Sequence, residues 1–292
     1  MFQGLYTALI TPFRNGKVDY AAFEKLIQWQ IKEGVHGLVP CGTTGESPTL
    51  SHEEHQQVVE QCVKLAKGKV KVLAGTGSNA TDEAILLTKH AQKSGADGAL
   101  VISPYYNKPT QEGLYQHFKA IHDATRIPIM LYNVPSRCVV DMSDALIARL
   151  AELPRIIGIK DATGNLERPS TLALALGKKA STFIQFSGED STAVAFNVQG
   201  GRGVISVASN IAPKLCAQVQ NLSLAGKTKE AIAVQQKLLP LYKMMFCESS
   251  PAPVKYAASL MGLCREELRL PLVPPSAENK KRIKEIVKNF IS

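Results

Sequence analysis

The chain has 292 residues, 45% of them hydrophobic, with six cysteines and a formal net charge of +9 at pH 7. This length and apolar content suffice for a sizeable core, and no apolar run approaches the length that spans a bilayer. The first ten residues have no basic stretch, so we expect neither a signal peptide nor a membrane anchor, and a cytoplasmic location. No two cysteines form a CxxC pair, which argues against a disulfide framework and against a zinc site.

The positive charge is spread along the chain rather than gathered in one arm. Its densest run, residues 279–292, places apolar side chains at helical spacing beside lysines and an arginine. This pattern is typical of an amphipathic helix with a solvated basic face, and no aromatic residues are interleaved on that basic face as in a nucleic-acid site. We therefore expect small anionic substrates and no nucleic-acid partner.

Short apolar, β-branched runs predict eight buried strands, at residues 5–10, 37–40, 70–74, 99–102, 129–131, 156–159, 183–186 and 203–207. Amphipathic stretches between them predict helices, among them residues 20–32, 53–67, 82–93, 111–124 and 212–225. A strand and a helix repeated eight times predict an α/β fold, the (β/α)8 TIM barrel, over residues 1–224.

After residue 225 the strand pattern stops. Helical patterns cover residues 228–247 and 254–261, and a proline-containing link leads to the final helix. We therefore predict a C-terminal helical domain, residues 225–292, appended to the barrel.

Lys160 ends the sixth predicted strand, on the face of the barrel where active sites lie. Burial there favours the neutral, nucleophilic amine. Attack of that amine on a ketone gives a Schiff base, which lets the adjacent carbon lose a proton and react as an enamine. An ion pair with Asp161 or Glu189 is the alternative explanation of this lysine.

Polar residues at the ends of other strands suit the same chemistry. Tyr132 can donate and accept protons, unless its hydroxyl is an ordinary core group. Arg137 offers a planar fork for a carboxylate, although a surface arginine would look the same in sequence. Thr43 and Thr44 lie in a glycine-flanked turn whose amides and hydroxyls suit a carboxylate, or which is simply a tight turn.

Two other strings suggest different functions. Residues 75–80, Gly-Thr-Gly-Ser-Asn-Ala, with Asp97 downstream, are compatible with an NAD-dependent dehydrogenase. However, they open the third of eight equivalent units rather than the first unit of a six-stranded sheet. His52 and His55 flank two glutamates but do not form HExxH, so we expect no metal site.

Five strings occur at predicted strand ends: GTTGES (42–47), YYNKP (105–109), YNVPSR (132–137), GIKDATGN (158–165) and GVISVASN (203–210). Through them the whole chain resembles the pyruvate-dependent lyases that include N-acetylneuraminate lyase. The arginine and the paired threonines resemble the dihydrodipicolinate synthase family within that group. The resemblance implies a Schiff base between Lys160 and pyruvate, condensation with L-aspartate 4-semialdehyde, and a place in diaminopimelate and lysine biosynthesis.

A sister aldolase that acts on a sugar acid is the alternative. Arg137 argues against it, because a polyol chain needs hydroxyl partners rather than a carboxylate clamp. A non-catalytic ligand-binding barrel is a third possibility, against which the intact Lys160, Tyr132 and Thr43 argue.

The same resemblance implies roles for individual residues. Tyr132, Thr43 and Tyr106 form a proton relay, in which Tyr106 comes from a neighbouring subunit. Pyruvate and the aldehyde carboxylate are held by Thr44, the backbone around Gly188 and Ile205, and Arg137. No cofactor is implied, because pyruvate itself is bound covalently, and the shared tyrosine implies a homotetramer built as a dimer of dimers.

Feedback inhibition by L-lysine is also implied. Counterparts of the family's lysine-binding residues are present, namely Ser47, His52, His55, Asn79, Glu83 and Tyr105. Pro48 departs from the pattern, since many sensitive relatives have a smaller residue there.

Overall fold

The structure, a computed structural model, describes residues 2–290. Eight parallel strands form a closed barrel in chain order, namely β1 (Gly4–Ala8), β2 (Gly37–Val39), β3 (Lys71–Gly75), β4 (Gly98–Ile102), β5 (Ile129–Asn133), β6 (Ile156–Asp161), β7 (Ile184–Ser187) and β8 (Gly203–Ser206). The barrel closes where β1 pairs with β8, with Gly4 opposite Gly203. All eight predicted strands and the predicted barrel are confirmed.

A helix follows each strand of the barrel along the chain. They are α1 (Tyr20–Lys32), α2 (His52–Ala66), α3 (Thr81–Ser94), α4 (Gln111–Ala124), α5 (Asp144–Ala151), α6 (Arg168–Leu176), α7 (Ala193–Val198) and α8 (Pro213–Leu224). A small hairpin, Phe13–Arg14 with Lys17–Val18, precedes α1, and a single helical turn, Pro135–Cys138, follows β5. Local sequence fixes the helix ends: Ser51 and Glu54 form the reciprocal capping box of α2, and Gly95 ends α3 with a φ of 86°.

The barrel interior is a packed core rather than a channel. The rings of Tyr6 and Phe186 meet edge to face with centroids 5.2 Å apart. Gly37 makes room for them, since a Cβ at that position would lie 2.0 Å from the Tyr6 ring. Aromatic packing of this kind leaves the ends of the strands as the place for a binding site.

Three further helices follow the barrel, α9 (Thr228–Met244), α10 (Ala252–Leu260) and α11 (Ala277–Val287). Their buried residues belong to the same hydrophobic cluster as residues of β1 and α1. The boundary near residue 224 therefore separates elements along the chain but not separate cores, and the division into a barrel domain and a C-terminal helical domain over residues 225–292 stays a prediction. The last two residues of the predicted final helix lie outside the described residues.

The helices within residues 2–290 include none that is long and apolar enough to cross a membrane. The six cysteines, all in the described part of the chain, carry free thiols.

Candidate active site

Lys160 and Tyr132 are neighbours at the carboxyl ends of β6 and β5, where they pair in register. The Nζ of Lys160 lies 4.0 Å from the centroid of the Tyr132 ring, and each residue is only 7% exposed. Asp161 instead approaches Arg168, with 3.4 Å between Oδ2 and Nε. Within residues 2–290 Lys160 forms no ion pair, so the structure does not support the ion-pair explanation of this lysine.

The buried carboxylate of Asp190 links the carboxyl ends of β7 and β8. Oδ2 of Asp190, just after β7, accepts hydrogen bonds from the backbone N–H groups of Val207 and Ala208 at 3.0 and 3.1 Å. Burial raises the pKa of Asp190, and these hydrogen bonds and the charge of Lys160 oppose the shift. Burial also raises the pKa of the half-buried Glu189 beside it. Asp190 thus fixes the wall of the barrel mouth next to Lys160.

The threonine turn after β2 is a short 3-10 helix, Thr43–Gly45. Thr44 is buried and Thr43 is half-buried. The Thr11 hydroxyl donates a 2.7 Å hydrogen bond to the Gly45 carbonyl and anchors the turn to the loop after β1. Since the first amides of a helix have no partner within it, this turn presents free N–H donors for an anion.

One cleft of about 300 Å³ brings Thr43, Tyr132 and Arg137 together at the barrel mouth. Arg137 is exposed, and its guanidinium reaches the Ser250 carbonyl at 3.4 Å. The same cleft is lined by Pro48 and by five of the residues predicted to bind L-lysine, namely Ser47, His52, His55, Glu83 and Tyr105. Five of the six residues predicted to bind L-lysine therefore line one cleft, and their binding of L-lysine stays a prediction.

Glu83 is the centre of the charged end of this cleft. His52 Nε2 lies 2.7 Å from its carboxylate, and the Ser78 hydroxyl donates to the other oxygen. These hydrogen bonds from Ser78 and His52 hold the pKa of Glu83 below its ordinary value. Burial lowers the pKa of His55 to about 4, so the neutral ring donates its Nε2–H to the Gly75 carbonyl at 2.9 Å.

The remaining predicted site residues lie around the cleft. Asn79 is not part of its lining, and its carbonyl accepts a hydrogen bond from the Asn107 side chain at 2.8 Å. Gly188 follows β7 and donates its N–H to the Asp161 carbonyl at 2.6 Å. Ile205 is buried in β8. Tyr106 projects from the chain, 93% exposed, with a φ of 70°.

The glycine-rich string after β3 has a packing role. A Cβ at Gly75 would lie 2.2 Å from the Cys41 carbonyl oxygen, and one at Gly77 would lie 2.4 Å from the Ile102 nitrogen. Both glycines therefore allow close approach of the backbone to neighbouring strand ends. A closed eight-stranded barrel is also not the open sheet of a dinucleotide-binding domain, so the structure does not support the dehydrogenase interpretation of this string.

His52 and His55 do not form a metal site. The first pairs with Glu83, and the second bonds a backbone carbonyl. Across residues 2–290 no group of three or more histidine, cysteine, aspartate or glutamate side chains is arranged to hold a metal ion.

Sequence analysis missed one pair beside the threonine turn. Glu46 and Lys255 form a buried ion pair with 2.6 Å between Oε1 and Nζ. Glu46 lies inside the GTTGES string, but nothing in the sequence around Lys255 distinguishes it from a surface lysine. Their separation along the chain hides the pair from any local pattern.

Known proteins with similar sequences and structures identify the family of this chain. The model of the dihydrodipicolinate synthetase family matches residues 1–290. The chain belongs to this family. Among its relatives, a 4-hydroxy-tetrahydrodipicolinate synthase of Rhodospirillum centenum is 58% identical over 276 residues, covering 94% of each chain.

Solved structures of this family superimpose closely on the chain. The chloride-inhibited dihydrodipicolinate synthase of Acinetobacter baumannii, complexed with pyruvate, gives a TM-score of 0.96 at 45% identity and covers 99% of both chains. The enzyme of Cyanidioschyzon merolae with lysine bound gives a TM-score of 0.94 at 35% identity and covers 98% of this chain and 97% of that one. The family confirms the prediction of an enzyme, a lyase of the lysine pathway, and its enzymes need no cofactor.

Proposed function

We propose that this enzyme condenses pyruvate with L-aspartate 4-semialdehyde through a Schiff base on Lys160, giving 4-hydroxy-2,3,4,5-tetrahydrodipicolinate. The observation that carries the proposal is the buried amine of Lys160, which has no carboxylate partner within residues 2–290 and lies 4.0 Å from the Tyr132 ring centroid. Such an amine is available to attack a ketone. The pyruvate complex of the Acinetobacter baumannii relative and the names of the curated relatives support the choice of substrate.

The reaction follows from the chemistry of the amine. Lys160 Nζ adds to C2 of pyruvate, and loss of water leaves an imine. Loss of a proton from the pyruvate methyl group gives an enamine, whose carbon bonds to the aldehyde carbon of the second substrate. The alkoxide is protonated, and the substrate's own amino group then attacks the imine carbon, closes the ring and releases Lys160.

Proton transfers in these steps are assigned to Tyr132, Thr43 and Tyr106. Tyr132 and Thr43 line one cleft, which suits a relay of hydroxyl groups. Tyr106 extends into solvent from its own chain, which fits its delivery to the site of a neighbouring subunit. We therefore propose a homotetramer, a dimer of dimers, in which the tight dimer completes each relay.

Substrate carboxylates are assigned to two places in the barrel mouth. Thr44 and the free amides of its turn hold the pyruvate carboxylate, next to the backbone around Gly188 and Ile205. Arg137, which lines the cleft, binds the carboxylate of L-aspartate 4-semialdehyde through its planar fork. A carboxylate clamp at this position favours the semialdehyde over a sugar acid.

The other end of the cleft is proposed to bind L-lysine as a feedback inhibitor. Ser47, His52, His55, Glu83 and Tyr105 line it, with Asn79 nearby. Glu83, with its lowered pKa, supplies a negative charge for an ammonium group. The lysine-bound relative from Cyanidioschyzon merolae supports this assignment. We further propose that the enzyme works in the cytoplasm.

Reductive trapping tests the Schiff base. The parent and Lys160→Ala are incubated with pyruvate and borohydride, and the intact masses are measured. We expect a pyruvate-sized adduct on the parent alone. No adduct on the parent would refute the mechanism, and turnover of a sugar-acid aldehyde instead of the semialdehyde would replace the second substrate.

A further inference from the structure

A buried ion pair joins the C-terminal helices to the threonine turn. The Nζ of Lys255, in α10, lies 2.6 Å from Oε1 of Glu46, and neither side chain is exposed to solvent. The same amine lies 4.0 Å from the centroid of the Phe13 ring. Burial lowers the pKa of Lys255, and the charge of Glu46 opposes that shift. Two charges held away from water in this way depend on each other.

Glu46 has a left-handed backbone conformation and a carboxylate with two partners. It caps the end of the helix Thr43–Gly45 with φ 54° and ψ 36°, in the left-handed region. A side chain other than glycine stays in that region only where its surroundings hold it. Its Oε2 accepts the backbone N–H of Arg269 at 3.1 Å, so both carboxylate oxygens are held by the C-terminal part of the chain.

Arg269 makes a second contact, with the residues that lead from the threonine turn into α2. The guanidinium of Arg269 binds the carboxylate of Glu54 with two hydrogen bonds of 2.6 Å and the Thr49 carbonyl at 2.7 Å. Residues 46–54 lead from the threonine turn into α2, and residues of the segment 255–269 therefore bind them at both ends.

We propose that Lys255 is a positioning residue of the active site, whose ion pair with Glu46 fixes the place of Thr43 and Thr44 relative to the substrate. The inference rests on the proposed roles of these two threonines. Without the ion pair, the turn loses its tie to α10 at Glu46, and when the lysine charge alone is removed Glu46 also becomes an unpaired buried carboxylate. Loss of the tie lets the turn rotate or water enter, and either change displaces the adjacent threonines.

The test compares three variants. Lys255→Met keeps the length of the side chain and removes its charge. Glu46→Gln with Lys255→Met removes both charges, so that no charge is left buried alone, and it keeps an oxygen for the Arg269 amide. Lys280→Met is the control, because Lys280, in α11, forms an equally short but partly exposed ion pair, 2.6 Å, with Glu266 in the link between α10 and α11.

Each variant is assayed for kcat, for KM of pyruvate and for thermal unfolding, at a temperature where circular dichroism shows it folded. We expect kcat/KM for pyruvate to fall about tenfold or more in Lys255→Met and in the double variant, since small misplacements of catalytic groups are costly. Lys280→Met should stay within about twofold of the parent.

A folded double variant with the kcat and KM of the parent would overturn the proposal, whatever its melting temperature, because the pair would then serve stability alone. If Lys255→Met does not fold, the double variant still decides. Failure of the proposed function has a different signature, since the parent itself would then give no pyruvate adduct with borohydride.

Discussion

Replacing Tyr132 with phenylalanine removes one hydroxyl group and leaves the rest of the site in place. The ring that lies 4.0 Å from Lys160 Nζ is kept, so the packing around the amine should not change. Within residues 2–290 the Tyr132 side chain makes no hydrogen bond, so the substitution leaves no polar group without its hydrogen-bond partner. We expect the free energy of unfolding to change by less than about 1 kcal/mol.

Catalysis should respond quite differently. Removal of a positioned proton donor and acceptor typically costs about 10² to 10⁴ in rate, which corresponds to about 3 to 5.5 kcal/mol in the activation barrier. Tyr132→Phe should therefore lose kcat by that factor and trap pyruvate with borohydride more slowly, while it melts near the parent temperature. Steady-state kinetics, timed reductive trapping and calorimetry measure the three quantities.

Tyr115→Phe is the control, because Tyr115 is half-buried on α4, where Arg149 stacks on its ring at 3.4 Å. It loses the same atom outside the cleft and should keep the parent kcat. A Tyr132→Phe enzyme with kcat within about threefold of the parent would refute the proton-transfer role. A large loss of stability would show instead that the hydroxyl has a structural partner.

In Gly188→Ala, the added Cβ would lie 2.6 Å from the Cβ of Ala162. We therefore expect a loss of about 1 to 3 kcal/mol in the free energy of unfolding and a higher KM for pyruvate. A KM like that of the parent would contradict the proposed place of Gly188 next to pyruvate. Glu83→Gln should raise the L-lysine concentration that gives half-inhibition about tenfold or more, because a charge-assisted hydrogen bond is lost. The kcat without L-lysine should not change. An unchanged inhibition curve would show that Glu83 does not bind L-lysine. Burial lowers the pKa of His117 from 6.5 to about 4, so its contribution to stability is complete above pH 6.5 and is lost as pH falls toward 4, by up to about 1.4 kcal/mol per pH unit. Urea unfolding across that range should show a shallower decline in His117→Gln, and equal slopes would contradict this account.

The sequence determined the barrel and predicted most residues of the candidate site because both predictions depend on local patterns. Buried strands leave apolar runs, helix ends leave capping residues such as Ser51, and the active face of a barrel lies where those runs end. Lys160, Tyr132, Thr43 and Arg137 could therefore be found by reading the residues around each strand end. The glycine-rich string at residues 75–80 was ambiguous for the same reason, since a tight strand-to-helix turn looks alike in both folds.

Only the tertiary structure decided which distant residues meet. It placed the Lys160 amine against the Tyr132 ring rather than against Asp161, and it joined Arg137 and five of the six residues proposed to bind L-lysine in one cleft. It also paired Glu46 with Lys255, 209 positions away. Such contacts are set by the packing of helices from the far end of the chain onto the barrel, and a contact between segments so distant has no periodicity or spacing from which a single sequence could reveal it.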